Sequence, residues 1–114
     1  MQIEERAVGT VTILDVKGKL VLGDGDAMLR DKVHSLVSQG RNQIVLNLAE
    51  MPYIDSAGLG EIVKTHTIAN RANGGLKLMN VTKRIHDLLV ITKLVTVFDT
   101  FDSEAEAVQS FAGQ

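Results

Sequence analysis

The sequence predicts an α/β fold: an initial β-hairpin, then alternating helices and strands, in a mixed and mostly parallel sheet of about five strands with helices packed against it. Three observations lead there. Two strand-like segments, residues 2–8 and 10–17, are joined across Val8-Gly9-Thr10, the spacing of a tight turn. After them, short aliphatic runs at 43–48, 76–79 and 94–98 alternate with segments of helical periodicity, the order of a sheet built by crossover connections. A length of 114 residues, 45% hydrophobic and 23% charged, suits one core and one domain over 1–114.

The elements follow in order. In 10–17, Val11, Ile13 and Asp15 alternate with Thr12, Leu14 and Val16, so both faces carry aliphatics and the strand is expected to be covered on both sides. Residues 18–26 form a loop with an apolar centre and a Gly23-Asp24-Gly25-Asp26 end. Asp26 is expected to cap a helix with Leu29, Val33, Leu36 and Val37 inward and Gly40 as its stop. The 43–48 strand leads through a loop with the only proline, Pro52, into a helix over about 57–72. Its stripe is Leu59, Ile62, Val63, His66 and Ala69, and Asn73-Gly74-Gly75 ends it. Thr82 is expected to cap a third helix with Ile85, Leu88 and Leu89 inward. The run 94–98 reads as the last strand. Ser103-Glu104-Ala105-Glu106 has capping-box spacing and opens a last helix with Val108 and Phe111 inward.

Composition removes several classes of function. With no cysteine there is no disulfide, thiolate or Cys-type zinc chemistry. A net charge of −2, with no Lys/Arg-dense window, argues against nucleic acid as a direct partner. One tyrosine, three phenylalanines and no tryptophan make a poor base-stacking platform. No apolar run approaches the roughly 20 residues that span a bilayer. The N-terminal residues do not resemble a secretory signal, so a cytoplasmic location without membrane insertion is expected.

Function is expected at Tyr53-Ile54-Asp55-Ser56-Ala57-Gly58-Leu59-Gly60, where a buried strand hands over to an amphipathic helix. Short oxygen-bearing side chains at such a joint cap the unpaired amides of the first turn, which by itself accounts for Asp55 and Ser56. The two glycines ask for more, because each costs about 1 kcal/mol relative to alanine within a helix. A serine nucleophile lacks the Gly-x-Ser-x-Gly elbow, since Ile54 stands two before Ser56, and His34, His66 and His86 all fall in helices. Gly58-Leu59-Gly60 lacks the third glycine of a dinucleotide loop. Gly23-Asp24-Gly25-Asp26 is too short for a calcium loop. No cofactor or metal is expected.

The run Ile54-Asp55-Ser56-Ala57-Gly58-Leu59-Gly60 resembles the signature of the STAS-domain anti-sigma-factor antagonists of bacteria. The likeness extends to Gly18-x-Leu20, to the aliphatic strand before the signature, to Gly74-Gly75-Leu76, and to Ile91-Thr92-Lys93-Leu94 with Val97-Phe98. The resemblance implies a phosphoacceptor at Ser56 and partner contacts from Tyr53, Asp55, Ser56, Ala57, Gly58, Leu59 and Asp24. Leu59 is read either as an exposed contact or as the first core residue. Gly58 and Gly60 are read as keeping the helix face flat for an approaching kinase.

The implied mechanism is partner switching without catalysis by this chain. The unphosphorylated form binds an anti-sigma factor that carries a histidine-kinase-like serine kinase domain; phosphorylation of Ser56 ends the complex, and a PP2C-type serine phosphatase restores it. Two residues depart from the family pattern. Ala57 stands where many relatives carry Ser or Thr, and Val21 where they often carry an acid, with Asp24 as the nearest substitute. Two other readings are a docking or scaffold module in a signalling or membrane-transport assembly without phosphorylation and, third, a serine hydrolase.

Overall fold

A computed structural model describes residues 1–112 of the chain. Strands β1 (Gln2–Val8) and β2 (Val11–Lys17) form the expected antiparallel hairpin, in register from Val8↔Val11 to Gln2↔Lys17. Gly9 turns it at φ 62°, a left-handed value that suits glycine. Helix α1 (Asp26–Ser38), strand β3 (Gln43–Asn47), helix α2 (Ser56–Arg71), strand β4 (Gly75–Met79), helix α3 (Lys83–Ile91), strand β5 (Thr100–Phe101) and helix α4 (Glu104–Gln109) follow. The five strands lie side by side in chain order, and β2 to β5 are parallel.

The period of two along each strand divides the core between the two faces of the sheet. Leu14 and Val16, Ile44 and Leu46, and Leu76 and Leu78 cluster with Leu29, Val33 and Leu36 of α1, Leu59, Ile62 and Ala69 of α2, and Ile85 and Leu89 of α3. Val11, Ile13, Val45 and Met79 cluster instead with Ala107 and Phe111. Both faces of β2 are therefore covered, as its sequence predicts. Polar groups on the α4 side pin that short helix. Arg6 donates to Asp15 at 2.7 Å and to Glu104 at 2.7 Å, and Asn47 donates to the same Asp15 at 2.8 Å. Lys77 places Nζ 4.3 Å from the Phe111 ring centre and donates to Ser110 Oγ at 2.9 Å.

Helix ends obey local chemistry. After α1, the Gly40 amide donates to Val37 and the Arg41 amide to Leu36, so the last carbonyls are satisfied with Gly40 at φ 79°. The same pairing ends α2 through Asn73 and Gly74, and α3 through Lys93 and Leu94. Thr82 accepts from the Ile85 amide at 3.4 Å, and Ser103 from the Glu106 amide at 3.2 Å.

Two expectations are corrected. Residues 94–98 are not a strand. The Leu94 and Val95 amides both donate to Leu89, and the Val97 amide to Leu94, so this run closes α3 rather than extending along the sheet. Phe98 still enters the core, 4% exposed. The edge pairing goes to Thr100–Phe101, anchored by Leu78 N to Asp99 O at 3.0 Å and Asn80 N to Phe101 O at 2.8 Å. Asp26 is not the cap of α1: it is the first helical residue, and Gly25 at φ 92° occupies the cap position without a side-chain bond.

Candidate functional site

The β3–α2 connection is fastened to the β2–α1 loop. Leu20 bridges Ile54 in parallel fashion; its amide donates to Tyr53 O at 3.1 Å, and its carbonyl accepts from the Asp55 amide at 3.3 Å. Asp55 is the N-cap of α2. One carboxylate oxygen accepts from the Gly58 amide at 2.8 Å and the other from the Leu22 amide at 3.1 Å, so one side chain caps the helix and ties the loop to it. These amides hold the Asp55 carboxyl below its ordinary pKa, Gly58 first and Leu22 next.

Gly58 lies beneath the same loop. A Cβ on it would stand 2.1 Å from the Leu20 carbonyl oxygen, closer than any real contact. This corrects the flat-face reading for Gly58: the glycine is buried, and it is there because the Leu20 backbone crosses it. At Gly60 a Cβ would meet nothing within 4 Å among the described residues beyond its own stretch of helix.

With Asp55 doing the capping, Ser56 is the first helical residue and is exposed; among the described residues its hydroxyl has no hydrogen-bond partner. It lines a shallow cleft of about 380 Å³ with Tyr53, Ile54, Asp55, Arg84, Asp87, Leu88 and Ile91, so the opposite wall is α3. Arg84 lies over the Tyr53 ring at 4.6 Å. Two of the apolar side chains lining this cleft stand out from the surface, Ile91 at 78% exposure and Tyr53 at 39%, and Leu22, tied to Asp55 through its amide, is 75% exposed.

The model of the STAS domain family matches residues 2–107. The chain belongs to the STAS-domain family. Among its relatives, the anti-sigma F factor antagonist of Paenibacillus polymyxa is 26% identical over 108 residues, 95% of this chain and 92% of that one. The anti-sigma-B factor antagonist of Bacillus subtilis is 34% identical over 82 residues, 72% and 74% of the two chains. Among solved structures, the Bacillus cell fate determinant SpoIIAA in its phosphorylated form superposes with a TM-score of 0.75 at 18% identity, covering 96% of this chain and 98% of that one.

In this STAS domain the residues singled out from the sequence divide into three groups. Tyr53, Asp55 and Ser56 line the cleft, and Ala57 is half-buried beside them. Gly58 and Leu59 lie beneath the surface, and Leu59 belongs to the core at 5% exposure, so neither presents itself to a partner. Asp24 does not line the cleft; its exposed carboxylate lies 3.6 Å from the Met1 amino group. No histidine lines the cleft either. His66 packs edge-on against Phe98 at 4.9 Å, where burial pulls its pKa below the ordinary value against a weaker opposing pull from Asp99. His86 lies 3.8 Å from Asp87, and His34 faces a groove between α1 and α2.

Sequence reasoning missed Leu22, Arg84 and Ile91. The signal for Ile91 was present: Ile85, Leu88 and Leu89 already make the inward stripe of α3, so Val90 and Ile91 are apolar residues that the core does not need. Arg84 carried no such signal, since its place beside Ser56 follows from the packing of α3. Among the described residues no helix is long and apolar enough to cross a membrane, and no group of three or more His, Asp or Glu is placed to hold a metal.

Proposed function

We propose that this chain, acting over 1–114 as one STAS domain, is a cytoplasmic anti-sigma-factor antagonist whose binding is switched by phosphorylation of Ser56. The observation that carries the reading is the exposed Ser56 hydroxyl, which has no hydrogen bond among the described residues while Asp55 caps the helix in its place. The names of the relatives and the phosphorylated form of SpoIIAA support it. Unmodified, the surface formed by Ser56, Tyr53, Leu22 and Ile91, with Asp55 and Ala57 alongside, docks on an anti-sigma factor bearing a serine kinase domain of the histidine-kinase-like type.

The Ser56 oxygen attacks the γ-phosphorus of the kinase's ATP, the bond to the ADP oxygen breaks, and the hydroxyl proton passes to a base of the kinase. This chain supplies the acceptor and the docking surface; the chemistry is the partner's. The phosphate adds about −1.5 to −2 charges. At the start of α2 that is neutral or stabilising by about 0.3–2 kcal/mol. Under a closed interface the dianion loses its water, a penalty of several kcal/mol that corresponds to a hundredfold or greater loss of affinity. A PP2C-type phosphatase then returns the hydroxyl by hydrolysis.

The test is incubation with the cognate anti-sigma kinase and ATP, followed by mass analysis. A single phosphate on the peptide spanning 53–64, absent in Ser56→Ala, is expected. An unmodified peptide in the presence of a partner that binds would overturn the switch in favour of constitutive docking.

A further inference from the structure

The cleft beside Ser56 holds two carboxylates and one guanidinium, and their engagement is unequal. Both oxygens of Asp55 are taken by the Gly58 and Leu22 amides. Asp87 accepts from Lys83 at 2.9 Å and lies 3.8 Å from His86. Arg84 alone among the cleft's charged groups has no ionic or hydrogen-bonding partner among the described residues; its guanidinium rests on the Tyr53 ring at 4.6 Å. A cation stored on an aromatic face is held by a modest attraction. A phosphate offers the planar guanidinium paired, charge-assisted hydrogen bonds, which are stronger.

From this geometry we propose that Arg84 is a built-in receptor for the phosphate on Ser56, parked on Tyr53 in the unmodified protein and drawn across the cleft to the phosphoserine once it forms. The proposal rests on Ser56 being the modified residue, and it adds an event on this chain's own surface. Modification does more than place a dianion in the partner's path. It closes the cleft, and it strips from Tyr53 the cation that covers it, so the docking surface loses its shape as well as its charge balance. Arg84 thereby acts as a positioning residue for the phosphorylated state, with no part in binding ATP.

The experiment uses the full chain with phosphoserine installed at position 56 during synthesis, so that no kinase is needed; a kinase that fails to modify Ser56 would count against the proposed function and leave this measurement intact. Phosphorus NMR follows the second ionisation of the phosphoserine, ordinarily near pH 6. A guanidinium within contact distance favours the dianion, so Arg84→Ala is expected to raise that midpoint by about half a pH unit. Arg84→Lys restores only part of the difference, and Lys83→Ala, whose ammonium serves Asp87, leaves it unchanged. The chain has one tyrosine and no tryptophan, so tyrosine emission reports on Tyr53 alone. It is expected to change on phosphorylation in the wild type and to stay constant in Arg84→Ala. An unshifted titration in Arg84→Ala, or an equal shift in Lys83→Ala, overturns the proposal.

Discussion

Two serines stand at the starts of helices in this molecule and are used in opposite ways. Ser103 is the cap of α4, and its hydroxyl accepts from the Glu106 amide at 3.2 Å. Ser56 stands one residue inside α2, where the cap is Asp55 and the hydroxyl has no hydrogen-bond partner among the described residues. The Ser103 oxygen is committed to the fold. The Ser56 oxygen is available because a neighbouring carboxylate has taken over the structural work and anchors the adjoining loop as well. A helix start can thus be stable and chemically free at once if capping and presentation fall to different residues.

The comparison breaks most severely at Gly58, which supports the Ser56 end from below. Gly58→Ala drives a methyl group against the Leu20 carbonyl oxygen and is expected to cost about 3 kcal/mol or more, read from chemical denaturation. Gly60→Ala, two residues on and in open space, is expected to gain up to about 1 kcal/mol from helix propensity, so the pair separates a packing glycine from a dispensable one.

Next in size is Asp55→Ala, which removes the cap and the loop tether together and is expected to lower the melting midpoint more than Ser103→Ala does. Its pH dependence has a fixed sign. The folded pKa lies below the unfolded value near 4. The contribution is therefore present in full above that value and is lost as pH falls through the folded pKa. Thermal melts of Asp55→Ala should approach those of the wild type as the solution is acidified. Ser103→Ala is expected to cost about 1 kcal/mol. The smallest effect belongs to Ser56→Ala, within about 0.5 kcal/mol of the wild type in the same denaturation assay. A loss at Ser56 as large as that at Ser103 would erase the distinction between them.

The hairpin, the alternation and most helix boundaries were legible because each rests on local chemistry: Gly9 in a left-handed turn, Gly40 and Asn73 past helix ends, Thr82 and Ser103 at caps. The 94–98 run misled because its aliphatics satisfy strand periodicity while its amides are claimed by the end of α3, a preference visible only once Lys93 is seen to take a positive φ of 62°. At the site, the Asp55-Ser56 joint could be read from spacing, and so could the demand for a bare backbone at Gly58. What presses on that backbone could not, since Leu20 is 38 residues away in sequence and meets it only through the parallel bridge to Ile54. The α3 wall stayed hidden for the same reason: Arg84 and Ile91 become neighbours of Ser56 through packing.

The most direct test compares two quantities on one sample: the unfolding midpoint and the affinity for an anti-sigma partner, each measured with Ser56 unmodified and with phosphoserine in its place. The midpoint is expected to stay unchanged or rise slightly, and the affinity to fall by about a hundredfold or more. Equal affinities, or a phosphate that unfolds the domain before it releases the partner, would contradict the switch at Ser56.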